Sequence, residues 1–177
     1  MEYTITGKAW VGGDNITVYQ IVAQNRWQMD ALNAEELSKW LFEDADSRFK
    51  NKENEFKNEG YSIVVAGKNF GCGGKSIEHP VVACIGAGVR IVLADSFARY
   101  NFRNSINNGL PVFVCEGINK WVKTGDVLSV DLQSGLVTNN TTGQSREITP
   151  LTDFAMKLLE SGGLIAYTRQ FLLPESE

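Results

Sequence analysis

The sequence predicts an α/β fold, a mixed sheet with flanking helices. Three observations lead there. Short β-branched runs alternate with helical stretches through the middle of the chain, the arrangement of strands in a small parallel layer. Glycines follow the helical stretches, where the chain must turn back. The C-terminal part carries two apolar runs around a tight turn, which reads as an antiparallel hairpin. The apolar pattern extends over all 177 residues, so one domain, 1–177, is expected, close to the commonest domain size.

Taken in order, residues 3–10 and 15–23 read as strands on either side of the turn GGDN. Residues 34–50 read as a helix. Ala34, Leu37, Trp40, Leu41, Ala45 and Phe49 recur at helical spacing, with Asn33 as N-cap. The charge run in 50–60 reads as a solvated helix end or loop. SIVVAG (62–67) is a buried strand and KNFGCGGKS (68–76) a glycine-rich loop. Residues 77–87 form a helix that tolerates Pro80 in its first turn and stops at Gly88. VRIVLA (89–94) is the next strand. Ser96 is expected to cap a helix running to about residue 108, which Gly109 ends, and PVFVC (111–115) is a third strand. VLSVDL and LVTNNT flank QSG as the hairpin. A helix over about 150–160 and a last short helix within 162–173 complete the chain.

Composition narrows the partners. The hydrophobic fraction is 43%, the charged fraction 21% and the formal net charge −4. A mildly acidic chain without a basic run has no electrostatic footprint for nucleic acid or an anionic membrane. No apolar stretch reaches the roughly 20 residues of a membrane span. The first ten residues lack the pattern of a secretion signal. Cys72, Cys84 and Cys115 are odd in number and have no CxxC spacing, and His79 is the only histidine. Three reduced thiols are expected, with no metal held by this chain and a cytoplasmic location.

The segment richest in chemistry is the glycine loop. Gly71, Gly73 and Gly74 follow a buried strand and precede a helix. Glycine lets the backbone approach a ligand closely, and free N–H groups at a helix start favour an anion. Lys75 adds a cation and Ser76 a hydroxyl, so a carboxylate or phosphate would sit well. A tight structural turn capped by Ser76 is the competing reading. The segment is neither GxGxxG nor a P-loop. Ser76 and His79, three apart, lack the GxSxG elbow of a hydrolase. Arg99 and Arg103 are four apart, on one face of the following helix, with Asn104, Asn107 and Asn108 beyond them. An acid-binding surface fits this set; capping and loop bracing also explain the asparagines.

These residues together resemble a family. GKNFGCGGKSIEHPVVACIGAGVRIVLADSFARYNFRNSINNGLP (67–111) is similar to the small subunit of 3-isopropylmalate dehydratase and, more distantly, to the swivel domain of aconitase. The family pattern is G-x-N-F-G-C-G-S-S-R-E-H, then an A-G-[IV] strand lead-in, then S-F-A-R-I-F-x-R-N-[AS]-I-N-x-G-L-P. GDNI (13–16) and the C-terminal segments GDVLSVDLQSGLVTNNTTG and LLESGGLIAY match in the same order. The resemblance implies a swivelling β/β/α domain of the aconitase small-subunit type. It implies a hydro-lyase acting on a hydroxy di- or tricarboxylic acid such as 3-isopropylmalate, in leucine biosynthesis. It also implies a large-subunit partner, in a heterodimer or heterotetramer, that carries a 4Fe-4S cluster, with no cofactor in this chain. In such a site a loop serine moves the proton α to a carboxylate, and arginines hold the carboxylates. Carried over here, Ser76 is the base and Lys75 its cationic companion. Gly73, Gly74, Lys75, Arg99 and Arg103 bind substrate.

Two departures stand out. The loop G-C-G-G-K-S-I-E-H is one residue longer than the family's and lacks its arginine. Aligned from Glu78-His79, Ser76 takes the place of the second family serine; aligned from GCG, Lys75 does. The family's G-D-N-I-D-T-D-x-I has become G-D-N-I-T-V-Y-Q-I, so Thr17 and Tyr19 replace two acidic residues. A paralog with another substrate, or a non-catalytic swivel-domain partner, is the alternative that these departures raise.

Overall fold

The computed structural model describes residues 3–27, 32–74 and 76–173. A seven-stranded mixed sheet has the order β4-β3-β2-β1-β5-β6-β7. Its parallel half comprises β1 (Thr4–Val11), β2 (Tyr61–Ala66), β3 (Ile91–Ala94) and β4 (Val112–Val114). Its antiparallel half joins β5 (Val127–Asp131), β6 (Leu136–Asn139) and β7 (Gln144–Glu147) to β1. The predicted parallel layer and hairpin are both present. Strand β7, an exposed QSRE, has no apolar alternation to announce it.

Alternation along β2 builds two cores. Val64 and Ala66 face one apolar cluster and Ile63 and Val65 the other. The first cluster lies under α2 (Ala34–Ser38), α4 (His79–Gly86), α5 (Arg99–Asn107) and α6 (Asp153–Glu160). The second is closed by β5, β6 and the turn bearing Ile118 and Val122. A short α1 (Val18–Ile21), α3 (Glu55–Asn58) and α7 (Leu164–Phe171) complete the α-helices of the described residues. None of these is long and apolar enough to cross a membrane.

Three expectations need correction. Residues 15–23 are not a strand. The Thr17 hydroxyl accepts from the Gln20 amide while the Gln20 side chain accepts from the Thr17 amide, and this capping box starts α1. The helix expected over 34–50 lasts only to Ser38. Asn33 caps it as predicted, but Phe42 adopts φ +60. Its amide donates to Ile21, and its ring stacks on Trp10 at 4.0 Å. Tertiary packing of the aromatic ring overrides helical spacing here. Finally, Ser96 does not cap α5. Its hydroxyl accepts from the Asn69 amide, and Ala98 is the N-cap.

In the polar 50–60 run, Lys50 pairs with Asp44 and Lys52 with Glu55 at the surface, where solvent leaves such pairs little net effect on stability. Phe56 inside the same run is buried, however, edge-on to Trp10 and Phe49. The run is thus only partly solvated.

All three cysteines are free. Burial pushes the Cys84 thiol up to about 12 and the Cys115 thiol up to about 11. Since the thiolate is the reactive form, one thiol of the three is expected to react with Ellman's reagent in the native protein at pH 8. That thiol is the half-buried Cys72, and all three should react in denaturant. Rapid native reaction of two or more would show that the core around Cys84 or the one around Cys115 opens.

Candidate active site

The glycine loop lies at the carboxyl ends of parallel strands, where open α/β sheets gather their ligands. Hydrogen bonds lace three chain segments together there. The Lys68 amide donates to Asp14 Oδ1 at 2.8 Å, and the Asn69 amide donates to Ser96 Oγ at 2.9 Å. Phe70 and Ala98 are linked through their backbone groups at 2.9 Å, Gly71 to Ile16 at 2.8 Å and Cys72 to Val18 at 2.9 Å. The turn after β1, the loop after β2 and the lead into α5 therefore hold one another.

Gly71 shows why this loop needs glycine. It has φ +76, and a Cβ there would lie 2.2 Å from Cγ of Asn101. Both the left-handed backbone and the close approach exclude a side chain.

Ser76 is exposed at the end of the loop. It precedes α4 by three residues and does not cap it; Glu78 occupies the N-cap without a side-chain bond. Asn104 Nδ2 donates to the Ile77 carbonyl at 2.9 Å and lies 3.5 Å from Ser76 Oγ. One asparagine thus braces the strand of loop that carries the hydroxyl. Asn108 Nδ2 in turn donates to the Asn104 carbonyl at 2.9 Å. Loop bracing therefore explains Asn104 and Asn108. Lys75 lies outside the described residues.

Gly73 and Gly74 line a cavity of about 110 Å³ between the loop and α5. The helix start that opens on this cavity is that of α5, through Ala98, Tyr100 and Asn101. The first-turn amides of Arg99, Tyr100 and Asn101 donate to no other described residue. Arg99 and Arg103 are both exposed and form no ion pair with any described residue. The structure thus brings the glycines, Ser76 and the start of α5 together, with two unpaired guanidinium groups on the same helix.

His79 plays no part in a serine pair. Its ring stacks on Trp27 at 4.9 Å, and Trp27 stacks on Tyr19 at 5.5 Å. Burial lowers the His79 pKa, and its buried Nδ1 has no partner among the described residues. Thr17 is occupied as the α1 cap and Tyr19 in the ring stack, so neither replaces the missing carboxylates with a charge. Asn101 escaped sequence reasoning. Its side chain is buried, and the only signal was its spacing of three from Asn104.

Among the described residues no group of three or more His, Cys, Asp or Glu could hold a metal. Cys84 and Cys115 lie in separate cores, so the cysteines do not fit an iron–sulfur cluster.

Comparison with known proteins gives consistent matches. The family model described as the aconitase C-terminal domain matches residues 14–115. The 3-isopropylmalate dehydratase small subunit 1 of Methanopyrus kandleri is 42% identical over 165 residues, covering 93% of this chain and 92% of the relative. The isopropylmalate/citramalate isomerase small subunit of Methanocaldococcus jannaschii is 38% identical over 170 residues, covering 96% of each. A crystal structure of 3-isopropylmalate dehydratase from Methanocaldococcus jannaschii superposes with a TM-score of 0.83 at 28% identity, again covering 96% of each chain.

Proposed function

The chain belongs to the family of the aconitase C-terminal domain and the 3-isopropylmalate dehydratase small subunits, and from that premise we propose that it is the small subunit of a two-subunit hydro-lyase. Its substrate is a hydroxy di- or tricarboxylic acid such as 3-isopropylmalate. The observation that carries this reading is the match to small subunits over more than nine-tenths of both lengths. The partner is a large subunit with a 4Fe-4S cluster, in a heterodimer or heterotetramer. This chain's own residues do not fit a cluster, and no step here passes through one. Its free thiols support a cytoplasmic location.

In this reading the chain binds carboxylates and moves one proton. Arg99 and Arg103 hold the substrate's carboxylates, since guanidinium forks match carboxylate geometry. The N–H groups of Gly73 and Gly74 and the start of α5 add partial positive charge. Ser76 Oγ takes or returns the proton on the carbon next to a carboxylate. An Asn104 Nδ2 donor beside that oxygen favours its deprotonated form, and Lys75 adds a cation next to it in sequence. A non-catalytic partner is the second reading, favoured by the use of Thr17 and Tyr19 in capping and stacking.

Co-expression with a 3-isopropylmalate dehydratase large subunit separates the two. The complex is expected to hydrate and dehydrate its substrate, while the purified chain alone shows no turnover and takes up no stoichiometric cluster on anaerobic treatment with iron and sulfide. Turnover by the chain alone, or a cluster in it, would contradict the proposal. A stable complex without turnover on any such acid would favour the non-catalytic reading.

A further inference from the structure

Asn101 carries a polar group that no described residue satisfies. The residue is 4% exposed, and its Oδ1 has no partner among the described residues. Its amide is pressed against the backbone of Gly71. Its own carbonyl is taken by the Ser105 hydroxyl at 2.8 Å, and the neighbouring Asn104 Nδ2 is engaged with Ile77. A buried acceptor left unmet costs about 1–3 kcal/mol, so its partner is to be sought in the space it lines.

That space is the cavity of about 110 Å³ walled by the glycine loop, Val18, Ile77, Ala98 and Asn104. Exposed Tyr100 stands at its edge. Water takes up roughly 30 Å³ per molecule. The cavity therefore has room for a few waters or for one small organic group. Most of its wall is apolar, and Asn101 Oδ1 is its unmet side-chain acceptor, beside the unbonded first-turn N–H donors of α5.

We propose that this cavity is a subsite for the substrate's variable group, and that Asn101 selects a small substituent ending in a hydrogen-bond donor, such as a hydroxyl, over an alkyl group of the same size. The assignment of the bound group to a substrate rests on the hydro-lyase reading; the preference of the cavity does not. An alkyl group would fill the volume but leave the amide oxygen unmet, whereas a hydroxyl would meet it. Sites built to hydrogen-bond a hydroxyl discriminate strongly against analogues that lack one.

The test uses the full chain, labelled with nitrogen-15, and two isosteric probes, 3-hydroxypropionate and butyrate, which differ by a hydroxyl in place of a methyl. The expected result is saturable shifts of the Asn101 side-chain amide and the Gly71 and Gly73 backbone amides. Binding of 3-hydroxypropionate should be at least about tenfold tighter than that of butyrate. Asn101→Leu keeps the bulk and should abolish the preference; Asn101→Phe should close the cavity and abolish the shifts for both probes. Equal or tighter binding of butyrate by the native chain, or no saturable shift with either probe, would overturn the proposal whether or not the variants fold. So would an unchanged preference in a folded Asn101→Leu. Turnover by the two-subunit complex does not enter this titration. A chain that passes it yet forms no active complex keeps the subsite and loses the hydro-lyase reading.

Discussion

Ser76→Ala, in the complex with a 3-isopropylmalate dehydratase large subunit, is expected, if Ser76 is the base proposed above, to lower kcat by about 10²–10⁴-fold, the range that a positioned general base contributes. Ser76 is the only hydroxyl in the loop from Lys68 to Ser76, and it is exposed at the end that leads towards α4. Its one side-chain neighbour of note is Asn104, whose stronger bond is to Ile77. Removing the hydroxyl therefore leaves the brace intact, and surface changes of this kind shift stability by only about 0.5 kcal/mol either way. An unchanged melting temperature with a lost kcat separates chemistry from folding. If Ser76 is the proton acceptor and the arginines bind the carboxylates, as proposed, KM should move less than kcat, because the acceptor acts in the transition state while the arginines bind in both states. Near-normal kcat in Ser76→Ala would place the base elsewhere. Tyr19, exposed on the far side of the Trp27 stack, would then be tested as Tyr19→Phe.

The parts of the fold legible in sequence are those fixed by local rules. β2, β3 and β4 are β-branched runs with glycine turns close by, and all three strands formed. Asn33, Pro80, Gly88 and Gly109 punctuate the helices where expected. The misread segments are those in which distant contacts decide. Residues 15–23 look like a β-branched strand, yet the Thr17–Gln20 capping box wins over that propensity. Residues 34–50 have helical spacing, yet Phe42 leaves the helix to stack on Trp10 of β1. At the site, the glycines and Ser76 were legible because loop chemistry is local. Asn101 was not, since a buried and a solvated asparagine look alike until the helix is docked. The way three loops join through Asp14, Ser96 and Ile16 was hidden for the same reason.

Trp10→Ala is expected to destabilise the chain by about 3–5 kcal/mol, the usual cost of truncating a large buried aromatic. The indole is 1% exposed, stacks on Phe42 at 4.0 Å and meets Phe49 and Phe56 at 6.4 Å. Its Nε1 donates to Asp46 Oδ2 at 2.9 Å. That carboxylate also accepts from Arg48, and these hydrogen bonds, led by the Arg48 guanidinium, hold it down from 3.8 to about 2. The sign of the pH dependence follows. A carboxylate whose folded pKa is depressed contributes stability that is present above its unfolded value and is lost as pH falls through the folded one. The native chain should therefore lose this contribution between about pH 4 and pH 2. Trp10→Phe separates the two roles: it keeps most of the stack and removes the N–H donor, so it should cost less than Trp10→Ala and lessen the pH dependence in that window only in part, since Arg48 still holds Asp46. Urea unfolding at neutral pH and near pH 3 reads both effects. A loss below about 1 kcal/mol for Trp10→Ala would mean that the aromatic cluster collapses around the vacancy. Equal costs for the two variants would instead assign the effect to the hydrogen bond and not to the ring. The consequence reaches the site, because the turn that follows β1, four residues beyond Trp10, carries Asp14, whose carboxylate anchors the glycine loop at Lys68.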